Sequence, residues 1–99
     1  MAFTRSDDGD KSVLSLSGSL DATSVEAFRA LADALVAEGR RHVVLDMTEL
    51  TNIETPGVAA IVALYKHTRE IGGEVRIVGI NAQPLAIFKL LRFDKVFDL

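Results

Sequence analysis

The chain has 99 residues, 48% of them hydrophobic and 25% charged, with a net charge of −3 and no cysteine. This suits a single domain spanning 1–99 and is too apolar for disorder, while the lack of thiols excludes disulfides, thiolate metal sites and a cysteine nucleophile and fits a reducing cytoplasm. The acidic balance, with no basic stripe, argues against nucleic acid; neither a membrane span nor an export signal is expected, since the longest uncharged run, 50–65, is broken by Glu54.

In chain order, residues 2–7 and 12–17 flank the turn signature Asp8-Gly9-Asp10 and predict an antiparallel N-terminal hairpin. In its second strand Leu14 and Leu16 share one face, with Val13, Ser15 and Ser17 on the other. A helix is expected from about Ser24 to Glu38. Thr23 and Glu26 have the T-x-x-E spacing of a capping box, and Gly39 is the stop signal. Val25, Phe28, Leu31, Ala32, Leu35 and Val36 form its apolar stripe. The stretch HVVLDM, 42–47, reads as a third strand, and Pro56 to about Glu70 as a second helix closed by Gly72-Gly73. EVRIVGI, 74–80, is a fourth strand, a short helix follows near 82–91, and KVFDL, 95–99, reads as a last strand. Phe93, Val96 and Phe97 are expected to fold back over that short helix.

Alternating strands and helices indicate an α/β fold. Each strand has one apolar and one more polar face, whereas a sheet covered on both sides reads as unbroken apolar runs. Right-handed crossovers taken in one direction place successive helices on the same side. The expectation is a mixed, mostly parallel sheet with the hairpin at its edge and helices mainly on one face. The loops after the second and third strands then open at one edge, where α/β folds meet ligands and partners. Asp21 and Thr55 follow those strands and are expected to share a rim.

The second helix begins unusually, with Glu54-Thr55-Pro56-Gly57 ahead of the apolar run 58–62. Proline at the first helical position costs no hydrogen bond, and it pushes the preceding residue toward the extended conformation an N-cap needs. Thr55 is the expected cap. Around the helix, Val58, Ile61, Val62, Leu64 and Tyr65 share one face, and Ala59, Ala60 and Ala63 form a smooth uncharged surface opposite them. That surface suits close approach by a partner.

GSLDAT (18–23), VVLDMTELTNIETPG (43–57) and YKHTREIGGEVRIVGI (65–80) together resemble the STAS domain of anti-sigma factor antagonists and sulfate transporters, in order and across nearly the whole chain. The resemblance implies a STAS-type fold and a non-enzymatic switch. Such an antagonist binds an ATP-using anti-sigma kinase, frees a sigma factor, is phosphorylated by that kinase and is restored by a serine/threonine phosphatase. It carries the phosphoacceptor onto Thr55, with Glu54 in place of the acid of the family's Asp-Ser-Ser/Thr-Gly motif, Pro56 in place of its second hydroxyl residue, and Gly57 matching. Asp21 falls at a kinase-contact position. The implied docking surface comprises Asp21, Ala22, Thr23, Glu54, Pro56 and Gly57, with Ala59 and Ala63 on the helix. Leu91-Arg92-Phe93 departs from the family's small residue-Gly-Leu turn. The resemblance also admits a STAS subunit that binds the ATPase of a lipid-transporting ABC system, or a scaffold subunit of a stress-signalling assembly.

No catalytic site can be built from these residues. His42 and His67 share no ligand spacing and have no acids beside them in sequence, and Asp7-Asp8-Gly9-Asp10 lacks the later ligands of a calcium loop. Gly72-Gly73 precedes a strand rather than a helix, unlike a phosphate loop. No serine is placed with a histidine and an orienting acid. Neither a metal nor a cofactor is expected.

Overall fold

The computed structural model describes residues 2–99. Its elements are β1 (Ala2–Asp8), β2 (Lys11–Leu20), α1 (Val25–Ala37), β3 (His42–Ile53), α2 (Thr55–Glu70), β4 (Glu74–Val78), α3 (Ala82–Leu90) and α4 (Phe93–Val96). The strands form one sheet in the order β1-β2-β3-β4, the first pair antiparallel and the others parallel. Both crossovers step the same way across the sheet, which puts α1 and α2 side by side on one face.

The inward faces are those the alternation indicates. Leu14 and Leu16 of β2, Val43, Leu45 and Met47 of β3, and Val75 and Ile77 of β4 are buried beneath Phe28 and Leu35 of α1 and Ile61 and Leu64 of α2. On the opposite face Ser15 and Val44 are half-buried and Arg76 is exposed, so no helical layer covers them.

Both long helices end in the same way. Gly39 and Gly72 have φ of +71° and +79°, and each helix closes with the paired hydrogen bonds of a Schellman motif: Arg40 N–H to Leu35 O with Gly39 N–H to Val36 O, and Gly73 N–H to Thr68 O with Gly72 N–H to Arg69 O. The end of α1 is also tied to the hairpin. Arg5 bonds both Asp7 and Glu38, holding both carboxyls below their ordinary pKa range by its hydrogen bonds. Arg40 reaches back to the buried Ser12 and to the turn carbonyls of Gly9 and Lys11.

Four expectations are corrected. The strand β3 does not stop at Met47 but continues to Ile53. Two register shifts against β2, at 47–48 and at 51, give β3 two extra residues, so Met47, Leu50 and Ile53 are buried at intervals of three rather than two. That spacing hides the strand from a period-two reading. The predicted strand at 95–99 is instead a helical turn, α4, with Phe97 buried after it. A strand there is outcompeted by aromatic packing: Phe97 meets Tyr65 and Phe88, and Phe93 meets Phe88. Phe93 and Phe97 therefore fold back as expected, but Val96 stays exposed. Finally, Ala60 is buried rather than part of the outer face of α2.

Arg92, which joins α3 to α4, has a left-handed φ of +64°. A side chain there costs about 1–2 kcal/mol, which glycine avoids while losing about 0.4–1 kcal/mol through a freer unfolded chain. Arg92→Gly is expected to raise stability by up to about 1 kcal/mol in urea unfolding; a loss would show that the guanidinium contributes more than its backbone strain.

Candidate functional site

The carboxyl ends of β2 and β3 lie side by side, with Leu20 paired to Ile53, and the Glu54 N–H continues the ladder by donating to Leu20 O at 3.0 Å. The helix α2 starts at the next residue. Gly57 is buried against this junction, where a Cβ would fall 2.7 Å from Leu20 Cγ and 2.8 Å from Leu20 O. Glycine is required by the close approach of helix and strand. Gln83 of α3 fastens the same junction, its Oε1 accepting from Ile53 N–H at 2.8 Å and its Nε2 donating to Ile53 O at 2.9 Å.

The expected helix cap is corrected here. Glu54, with φ −118° and ψ 172°, is the N-cap residue; Thr55 is the first helical residue and Pro56 the second. Glu54 O accepts from Gly57 and Val58 N–H, and no side chain caps the helix. The cause is the ladder bond from Glu54 to Leu20, which keeps Glu54 extended and lets the helix begin one residue earlier. Proline at the second position still loses nothing, since the first four N–H groups of a helix have no partner within it. Thr55 stands exposed on the first turn, free of a capping role.

The capping box of α1 is absent as well. Thr23 does not cap; its N–H and hydroxyl both bond Asp21 Oδ1, at 2.9 and 2.7 Å. Ser24 is the N-cap residue, and its buried hydroxyl accepts from Asp21 N–H and donates to Ser19 O. Asp21 Oδ2 accepts from the Ser19 hydroxyl at 2.9 Å. The bonds from Thr23, then from Ser19, lower the Asp21 pKa to about 2.

Asp21 and Thr55 thus belong to one rim, and two side chains that the sequence did not single out join them. Asn52 Nδ2 donates to Ser19 Oγ at 3.0 Å and lies 3.4 Å from Glu54 Oε2. A continuous polar chain runs from Glu54 through Asn52 and Ser19 to Asp21 and Thr23. Of the other residues named from the sequence, Ala22, Ala59 and Ala63 are exposed and Pro56 is half-buried. Gly57 is buried and shapes the rim from beneath. Ser19 and Asn52 lie within the stretches 18–23 and 43–57, but the resemblance gives them no role there; the register shift in β3 brings them together.

Away from the rim, His42 does have acids beside it: Asp10 Oδ2 at 3.5 Å and Glu74 Oε1 at 3.8 Å, drawn in by the hairpin tip and the start of β4. No helix among the described residues is long and apolar enough to cross a membrane.

Comparison with known proteins agrees with this fold. The STAS domain profile matches residues 4–99. BtrV of Bordetella bronchiseptica, named as a candidate anti-sigma factor antagonist, is 26% identical over 84 residues, spanning 85% of this chain and 72% of its own. The crystal structure of an antisigma-factor antagonist STAS domain from Rhodobacter sphaeroides is 30% identical over 79% of this chain and 85% of its own, with a TM-score of 0.65. The Bacillus cell fate determinant SpoIIAA in its phosphorylated form shares the fold, with a TM-score of 0.75 at 21% identity over 94% of this chain and 83% of its own.

Two outcomes test this geometry. Gly57→Ala is expected to destabilise the fold by more than about 1 kcal/mol, because the new methyl group meets backbone as well as a side chain; unfolding at the wild-type midpoint would refute the close approach. For Asp21, the folded pKa of about 2 lies below the ordinary 3.8. Its contribution is therefore complete above that ordinary value and is lost as pH falls through the window from 3.8 to about 2. Acid titration of thermal stability is expected to fall more steeply there for the wild type than for Asp21→Asn, and parallel curves would contradict it.

Proposed function

This chain belongs to the STAS domain family, and we propose that it is an anti-sigma factor antagonist: a protein substrate rather than a catalyst, which binds an ATP-using anti-sigma kinase, releases a sigma factor and is switched off by phosphorylation at Thr55. The observation that carries this reading is the exposed Thr55 at the first position of α2, on the same rim as Asp21 and free of capping duty. The names of the Rhodobacter and Bordetella relatives support the role, and the phosphorylated form of SpoIIAA supports the switch.

The kinase docks on Asp21, Ala22 and Thr23, on Glu54 to Pro56, and on Ala59 and Ala63. Gly57 holds this surface in shape. Binding requires little reorganisation, because Asp21 is already ionised and bonded to Ser19 and Thr23. A phosphate on Thr55 is tolerated by the domain itself, since the helix dipole favours negative charge at a helix N-terminus. It adds about −1.5 to −2 charge next to Glu54. The partner then meets two adjacent anions, at 54 and 55, where it bound only one. A serine/threonine phosphatase reverses the change, and the cycle belongs to the bacterial cytoplasm.

Substitution separates the switch from the fold. Thr55→Ala is expected to change stability by less than about 0.5 kcal/mol, because no cap is lost, and to bind the kinase persistently. Thr55→Asp is expected to be slightly more stable, by about 0.3–1 kcal/mol through the helix dipole, and yet to bind the kinase more weakly. Incubation with the cognate kinase and ATP, followed by mass spectrometry, is expected to place the phosphate on Thr55. Phosphate on another residue, or undiminished binding by Thr55→Asp, would turn the reading toward the ATPase-binding transporter subunit.

A further inference from the structure

Beside the rim, α2 and the α3–α4 segment enclose an open, mainly apolar groove of about 830 Å³. Ala59, Val62 and Ala63 form one wall, and Leu90, Leu91 and Phe93 the other. Leu90 is 76% exposed and Leu91 47%. Two neighbouring leucines this open, on the lip of an apolar groove, mark a surface that is covered in use.

The charges around the groove point to its occupant. Glu54 stands at the amino end of α2 and Lys66 and His67 lie about 18 Å along the same helix. Their order reverses itself when the helix is laid antiparallel on a copy of itself. With the twofold axis near the middle of the run 59–63, Ala59 of one copy faces Val62 and Ala63 of the other. Glu54 then comes opposite His67 and about one residue's rise, 1.5 Å, from Lys66, whose long side chain spans that offset. The small side chains at 59 and 63, one turn apart on the outer face, let the two helix backbones come close. Leu90 and Leu91 stand across the groove and close over the second copy's α2. Apolar seam, charged ends and flanking leucines are all self-complementary under one rotation, as a twofold interface requires.

We propose that the groove is a dimer interface in which two copies of this chain pack α2 antiparallel to α2, with the pairing of Glu54 and Lys66 setting the register. The inference stands on this groove and does not depend on the kinase reading. Thr55 lies within the seam, so the dimer covers the residue that the rim otherwise presents. Self-association and use of the rim are mutually exclusive.

Sedimentation of the intact protein over a concentration series tests this without any partner. The wild type is expected to pass from monomer to dimer as concentration rises. Lys66→Glu and Glu54→Lys each set like charges against each other twice per dimer and are expected to weaken association by about tenfold or more. The double variant Glu54→Lys/Lys66→Glu restores opposite charges and is expected to recover most of the loss. Both positions are exposed, so the variants fold, which circular dichroism verifies. A wild type that stays monomeric at every concentration overturns the proposal. So does a dimer indifferent to both single changes, or one that the double change fails to rescue.

Discussion

The arrangement depends on one close approach, that of the first turn of α2 to the end of β2. The ladder carries through Ile53 into the Glu54 N–H, so the helix starts with no loop between it and the strand. Only a residue without a Cβ fits where Gly57 touches Leu20. Because the junction has no slack, the position of Thr55 relative to the loop after β2 is set by sheet geometry. A longer connection would leave the same residues on the surface but unrelated to each other.

That constraint makes a polar surface possible at a sheet edge. The groups of the rim, Glu54, Asn52, Ser19, Asp21 and Thr23, bond one another in sequence. Two bulges in β3 shift its register so that Asn52 comes opposite Ser19. Gln83 satisfies both backbone groups of Ile53 where β4 no longer reaches. This edge of the molecule is therefore preorganised, which lowers the ordering cost of any association there.

The C-terminal segment solves a different problem. Phe88, Phe93 and Phe97 gather beside Tyr65 and close the end of the core. The same turn leaves Leu90 and Leu91 outside, next to the uncharged face of α2. Core closure and an exposed apolar lip arise from one short helix whose apolar residues surround it on most sides. Rim and groove share Thr55, Glu54 and Pro56, so whatever occupies one is felt at the other.

Much of this was legible in the residues. Period-two alternation in β2 and β4 and the helical stripe of α1 report the core faces directly, because burial on one side forces the pattern. Gly39 and Gly72 mark the helix ends, because a left-handed C′ residue favours glycine. The order of elements and the convergence of Asp21 with Thr55 follow from crossover handedness alone. The length of β3 did not follow, because bulges change its burial spacing to three. The helix caps did not, because Glu54 and Thr23 each took a partner, Leu20 O and Asp21, that sequence proximity does not rank against a cap. Asn52, Ser19 and Gln83 were invisible because their roles consist of contacts between segments some thirty residues apart. The sequence by itself determined the elements, their inward faces and the rim at which two loops meet, since local sterics and one-sided burial leave a periodic trace. Only the tertiary structure decided which side chains complete that rim, where the helix begins and which apolar surface stays open, since those are settled by competition among distant partners for the same hydrogen bond or the same space.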